Sequence, residues 1–353
     1  MSTNATAAET EFEVIYNPLL GDEQAELNDA YVSGTDSPEW RALLDRPMTF
    51  LLPADLKKDA KQKVWTNTTA PLREWLIGGP NGAFSMQPEK KAKGYFPVVF
   101  GQAAGNSRSV NSMVTQEALT LDIDSGDKYD DAIQRVAALG IAAVGYASFN
   151  DQSETSGVVK DAVIKFMDKA GRGGEITSVD VQDYMTASGK FHPDHIKTVT
   201  FTGKTDHTDR GVELLVEHAP LDKFRLICWL EAPVHPGKIC RTHREGLALY
   251  KSKLLGLAEM LELRIDESCV DVSRAFYMPS RKKGTTPVLD ILRGKPIKFS
   301  DLPDGGSSRK NPFEIAGAAR KEVATSDGLN LKKWAVTHGA RLEITSLIEA
   351  EAP

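Results

Sequence analysis

Cysteine is scarce in this chain of 353 residues: Cys228, Cys240 and Cys269 are too few and too clustered for a disulfide framework. That pattern predicts a reducing, cytoplasmic setting. No apolar run approaches the length a bilayer span needs, and the opening MSTNATAAETEFE carries acids where a secretory leader carries bases. Neither a membrane partner nor secretion is expected. Net positive charge is missing too, since the formal charge is −6, which at first sight argues against a nucleic-acid partner. Its distribution argues otherwise. Residues 1–55 hold eleven acids against two bases, whereas residues 272–321 hold eleven bases against four acids. An acidic leader masks a mildly basic body, so a polyanionic partner stays admissible.

Several active-site signatures are also missing. There is no repeat of fixed period, no G-x-S-x-G and no H-E-x-x-H. Gly203-Lys204-Thr205 imitates the end of a phosphate-binding loop, but Thr198 stands where that motif needs glycine. Cys240-x-x-His243, with Cys228 and Cys269, lacks a second ligand pair at zinc-binding spacing, so no zinc is predicted.

What is present reads as mixed α and β. Helical patches are expected around Ser37–Leu44 and Pro53–Lys63 of an acidic N-terminal extension, 1–88. Phe96–Phe100 reads as a strand, followed by a polar loop carrying Ser107 and Arg108. Ala118–Asp124 alternates as a buried strand does, Tyr129–Leu139 has helical apolar spacing and stops at Gly140, and Ile141–Phe149 is a second strand. Together they predict a β-α-β unit with two aspartates at a strand's C-terminal end. A helical insertion covers about 150–210, with Thr177 or Ser178 as a cap. Lys197–Thr202 and Val212–His218 read as a hairpin around a polar loop, and Phe224–Leu230 as a strand. A long helix is expected over Arg244–Leu261 and a core strand over Cys269–Met278. Residues 286–311 read as a linker and 312–353 as a C-terminal helical domain.

Asp122 and Asp124 lie two residues apart on a strand, so both point to one face. A divalent cation such as Mg²⁺ or Mn²⁺ would let both stay ionised; taken alone, D-x-D reads more simply as turn acids capping the next helix. Asp271, expected inside a strand, either pairs with Arg274 or Arg281 or serves as a third ligand. His218, with Lys223 and Arg225 after it, could grip a triphosphate, although by itself it is an ordinary hairpin histidine.

The order LTLDIDSGD, YASF, VEHAPLDKFRLICWLEAPV and DESCVDVSRAFYMPSR resembles the archaeo-eukaryotic primase superfamily, and is most similar to the primase-polymerases of phages, plasmids and mobile elements. The resemblance spans about residues 90–285, and D-x-S-R-x-x-Y-x-P-S-R is its most specific piece. It implies an α+β catalytic core over 89–285, an α/β module with an RRM-like module, and the site between them. It further implies two metal ions, Mg²⁺ or Mn²⁺, on Asp122, Asp124 and Asp271. His218, Lys223, Arg225 and Arg274, with Ser107 and Arg108 on a facing loop, would hold the nucleotide, and Arg281, Lys282 and Lys283 would meet DNA. The family writes its second motif as Ser-x-His, and Val216 stands where that serine would be. The implied function is template-directed nucleotidyl transfer that makes or extends primers on single-stranded DNA from nucleoside triphosphates. Relatives of this kind often carry a helicase, so a replicative helicase is a further implied partner; for a viral source the setting would be the host cytoplasm. Two rival readings are a non-catalytic DNA-binding replication initiator and a metal-dependent nuclease using the same acids.

Overall fold

The computed structural model describes residues 32–34, 37–55, 63–77, 96–280, 288–307 and 312–316. It divides into two compact units: one holds the chain to Gln152 and again Asp222–Gly306, the other Ser153–Leu221 and the residues from Ser307.

The first unit opens with strand β1 (Val32–Gly34), helix α1 (Pro38–Asp45), antiparallel strands β2 (Pro47–Pro53) and β3 (Trp65–Pro71), and helix α2 (Leu72–Ile77). Short strands β4 (Pro97–Val98) and β5 (Gly101–Ala103) lead into β6 (Met113–Ile123), helix α3 (Tyr129–Ala138) and β7 (Ala143–Ala147). The second unit supplies β8 (Ser153–Val159), helices α4 (Lys160–Lys169), α5 (Ser178–Ser188) and α6 (Pro193–Ile196), and strands β9 (Thr200–Thr208) and β10 (Gly211–Leu221). Back in the first unit come β11 (Phe224–Val234), α7 (His243–Met260), β12 (Phe276–Tyr277) and β13 (Leu289–Arg293).

Six strands form the main sheet in the order β1-β13-β7-β11-β6-β5. Strand β11 is antiparallel to both β6 and β7, so those two run parallel to each other with α3 as the crossover between them. The expected β-α-β unit is therefore present, but a third strand, supplied after the second unit, is inserted between its two strands. Helix α3 ends where its sequence says it must: Gly140 follows it at φ +63, a conformation that costs glycine little. Gly145 in β7 lets α3 sit close, because a Cβ there would meet Ile133 Cδ1 at 2.5 Å. Helix α7 begins with a reciprocal capping box between Thr242 and Glu245, and buries Tyr250, Leu254 and Leu257.

One face of the sheet carries Leu121, Ile123, Leu226, Cys228 and Leu230 against α3 and α7 residues, in a single buried cluster. The other face gathers Tyr146, Ile227 and Trp229 with Trp40, Met48, Phe50 and Trp75. The described residues 37–55 and 63–77 thus contribute to the sheet's core. The helix expected at Ser37–Leu44 is α1, capped by Ser37. The helical patch expected at Pro53–Lys63 begins instead with a proline that closes β2, and residues 56–62 of it lie outside the described set.

Four other expectations need correction. Cys269–Met278 is not a strand: a 3-10 turn spans Glu267–Cys269 and only Phe276–Tyr277 pairs, with β4. Its apolar-polar alternation mimics a strand, but Asp266 and Asp271 side chains bond nearby backbone N–H groups and bend the chain. The linker expected at 286–311 contains β13, which pairs β7 through Leu289–Leu292 and buries Leu289, Ile291 and Leu292. These three apolar residues outweigh the surrounding Gly, Pro and Lys. The insertion is not purely helical either, because β8, β10 and β9 form a three-stranded antiparallel sheet. The polar stretch Gly203–Thr208, expected as a loop, is exposed strand paired with β10. Thr177 does cap α5, through a capping box with Asp180. Of the expected C-terminal domain only 312–316 is described; it is helical, with Phe313 and Ala316 packed near Phe166 and Ala187 of the second unit.

Candidate active site

The ends of β6 and β11 build the site. Their register sets Asp122 directly opposite Arg225, and on the other side Arg225 faces Tyr146 of β7. An acid, a base and a phenol therefore lie in one row across three strands. Arg225 Nε donates to Asp122 Oδ1 at 3.0 Å, and Nη1 donates to the Tyr277 carbonyl at 3.0 Å, which also accepts from Tyr146 Oη at 3.0 Å. The guanidinium sits 5.9 Å from the ring centres of both Tyr146 and Phe276. Burial disfavours its charge, but Asp122, Tyr146 and Cys269 together more than offset this and hold the guanidinium firmly protonated. The same burial lifts the Tyr146 phenol to about 12, with Arg225 opposing.

A cavity of about 350 Å³ opens beside this row. Asp122 lines it from the end of β6 and Asp124 from just after it, Ser148 and Asn150 from the turn after β7, Lys223 from just before β11 and Arg225 from that strand, and Arg274, Tyr277 and Ser280 from the segment around β12. The two acids of the D-x-D pattern are thus brought to one cavity with three cations. Arg274 is half-buried, and its guanidinium makes no ion pair or hydrogen bond among the described residues.

The remaining expected residues are placed as follows. Asp271 is exposed in a turn, where Oδ1 accepts from Ser273 N at 2.9 Å and Ser273 Oγ at 2.6 Å; it does not line the cavity. Arg108 stacks 5.0 Å from the Trp65 ring centre and donates to the Ser273 carbonyl at 2.9 Å. Its guanidinium is lowered by burial, with Asp271 opposing, so it buttresses the Asp271–Ser273 turn. Ser107 offers its carbonyl to Ser112 Oγ at 2.8 Å, and neither Ser107 nor Arg108 reaches the cavity lining. His218 belongs to β10 of the second unit. Its Nδ1 lies 2.9 Å from the Ala219 carbonyl, which only accepts, so that nitrogen carries the proton. Its Nε2 has no hydrogen-bond partner among the described residues, and its ring meets that of His195 edge-on with centres 4.7 Å apart. Arg281, Lys282 and Lys283 lie outside the described residues.

The structure also adds residues that spacing did not single out. Oxygen atoms of Asp122 and Asp266 and the Cys269 sulfur lie within 4.8 Å of one another, the one such group of metal-capable atoms among the described residues. Cys269 Sγ is 3.4 Å from Asp122 Oδ2 and 3.4 Å from Asp266 Oδ2. Arg225 holds Oδ1 of Asp122, so Oδ2 faces this group. Two carboxylates and a sulfur so placed could hold a divalent cation, and of the three residues Asp122 alone also lines the cavity. Asp266 was not singled out in the sequence; its Oδ1 accepts from Ser268 N at 3.1 Å and its Oδ2 from Ser268 Oγ at 2.8 Å.

Buried thiols give a direct check on this packing. Burial pushes Cys228 up to about 12, and burial with Asp122 beside it pushes Cys269 higher still, while Cys240 is half-buried. A thiol reagent at neutral pH should label Cys240 alone in the native protein and all three cysteines in denaturant. Fast native labelling of Cys269 would contradict the enclosed site.

Comparison of the chain with family models, with curated proteins and with solved structures gives no significant match. No helix among the described residues is long and apolar enough to cross a membrane.

Proposed function

We propose that this chain is a metal-dependent, template-directed nucleotidyltransferase, a primase-polymerase that makes or extends primers on single-stranded DNA in the cytoplasm. The observation that carries this reading is one cavity with acids on one strand end and cations around it: Asp122 and Asp124 beside Lys223, Arg225 and Arg274. A cavity for a plain anion has no use for two carboxylates, and a cavity for a plain cation has no use for three bases. A triphosphate carried with divalent metal needs both.

Divalent metal held at the acids would lower the pKa of an attacking 3′-hydroxyl and neutralise the departing pyrophosphate. The chain's own residues do the positioning. Arg225 fixes Asp122 by one oxygen and leaves the other turned to the metal side. Arg274, with no competing carboxylate partner, is the guanidinium available to phosphate oxygens, and Lys223 adds a second cation on the same wall. Ser280 and Asn150 supply neutral hydrogen-bonding groups there. The primase-type core, with its α/β and RRM-like modules, is part of the same proposal, as is a nucleotide role for His218.

The test is incubation of single-stranded template, Mn²⁺ or Mg²⁺ and labelled nucleotides with the protein, with and without a primer. Products that lengthen with nucleotide, and disappear in Asp124→Asn and Arg274→Ala, are expected. Shortened template would replace this reading with a nuclease, and retention of DNA with neither product would replace it with an initiator.

A further inference from the structure

Arg274 reaches the cavity from a segment with no regular structure of its own: no helix or strand lies between the 3-10 turn Glu267–Cys269 and the two residues of β12. Its direction is set by contacts from outside. The segment begins where the Asp266 N–H donates to the Asp122 carbonyl at 2.8 Å, and ends where the Tyr277 carbonyl accepts from Arg225 and Tyr146. Between these points, the two carbonyls just before Arg274 are each held by a distant side chain. Arg108 donates to that of Ser273 at 2.9 Å, and Gln116 Nε2 donates to that of Val272 at 2.7 Å. Arg274 N in turn donates to the Asp271 carbonyl at 3.1 Å, which closes the turn.

The Gln116 contact is the enclosed one of the pair. Gln116 is 4% exposed, and β6 holds it between Gly101 of β5 and Val234 of β11. Gly101 leaves room for its amide, because a Cβ there would meet Gln116 Nε2 at 2.9 Å and the Thr115 carbonyl oxygen at 2.1 Å. Losing the donor would leave the Val272 carbonyl buried without its partner, a costly state that the segment can relieve only by moving. Gln116 does not line the cavity. It stands on the same strand as Asp122, so one rigid element carries an acid of the cavity and grips the segment that carries the cation.

We infer that Gln116 is the positioning residue for Arg274: through the Val272 carbonyl it sets the spacing between that guanidinium and the acids at the end of β6, so that both meet one triphosphate. This rests on the nucleotidyltransferase reading above. Gln116 acts on the triphosphate only through Arg274, so the two residues should behave as one unit in a double-mutant cycle.

The experiment is a calorimetric titration of the full chain with ATP, dATP and inorganic tripolyphosphate, in Mn²⁺ and without template, alongside thermal melts. Arg274→Ala should weaken binding about 30-fold, as loss of a charge-assisted hydrogen bond does. Gln116→Met keeps the side chain's length and removes the donor. It should weaken binding about tenfold, because a small displacement of a gripping group is felt strongly. The double variant should bind no worse than Arg274→Ala alone, since nothing remains to be positioned, whereas independent effects would multiply to about 300-fold. In the primer assay Gln116→Met should raise the nucleotide KM and leave kcat within about twofold, the signature of lost ground-state binding. Gln116→Asn, one methylene shorter, should shift the same way and replaces the Met variant if that fails to fold. Wild-type affinity in the Gln116 variants, or a multiplied loss in the double variant, overturns the inference and leaves the nucleotidyltransferase reading standing. A wild-type chain that binds none of the three ligands overturns both.

Discussion

Asp122→Ala should abolish nucleotide incorporation and also destabilise the first unit by about 3 kcal/mol, toward the low end for breaking a buried ion pair. The two effects have separate causes. The stability loss comes from Arg225, whose guanidinium is packed among Tyr146, Phe276 and the Tyr277 carbonyl and would keep its charge with no carboxylate opposite. Both partners keep slight exposure, 15% for Arg225 and 19% for Asp122, which places the cost below that of a fully enclosed pair. The activity loss comes from the metal-facing oxygen. Asp122→Asn separates them: its amide oxygen still accepts from Arg225 Nε, so most of the stability should remain, while the charge that would hold metal is gone. Urea melts and the primer assay on both variants check this. Full stability in Asp122→Ala would mean that the pair contributes little, and an active Asp122→Asn would remove Asp122 from the metal set.

Local signals carried much of the fold. Alternation in ALTLDID located β6, the helical spacing of YDDAIQRVAAL before Gly140 located α3 almost to the residue, and the helix expected over Arg244–Leu261 is α7, which starts one residue earlier. Pairing over long separations was not legible in the same way. That β11 lies between β6 and β7 depends on partners from distant segments, and no spacing within FRLICWL encodes it. CVDVSRAFYM shows the converse, since its period of two is real but the Asp and Ser side chains capture backbone groups that a ladder would need. For the site, D-x-D was readable because both acids share one short strand end. Arg225 was readable as a cation near it, but not as the residue directly opposite Asp122, which only register decides. The approach of Asp266 to Asp122 was not legible, because the Asp127–Arg264 contact that fastens its segment joins residues 137 apart in the chain.

Trp229→Ala should cost about 4 kcal/mol, within the range for truncating a buried aromatic, and should be the most damaging single core change in the first unit. Trp229 sits in the middle of β11 with no exposed surface, parallel to Phe50 at 6.1 Å between ring centres and edge-on to Phe100 at 6.1 Å. Phe50 stacks in turn on Trp75 at 4.4 Å. The cavity left would therefore be lined by rigid rings held by their own neighbours, which cannot collapse into it cheaply. The loss should also reach the site, because residues 225, 227 and 229 of β11 face the same side of the sheet, and Arg225 is the polar end of that aromatic face. Incorporation by Trp229→Ala should fall even at temperatures where the protein stays folded, whereas Trp229→Phe should lose little of either. Tryptophan fluorescence is a suitable probe, since four of the five tryptophans, Trp40, Trp65, Trp75 and Trp229, lie in the first unit and are buried. An unchanged urea midpoint in Trp229→Ala would show that β2 and β3 do not pack on this face, and would separate the aromatic core from the seating of Arg225.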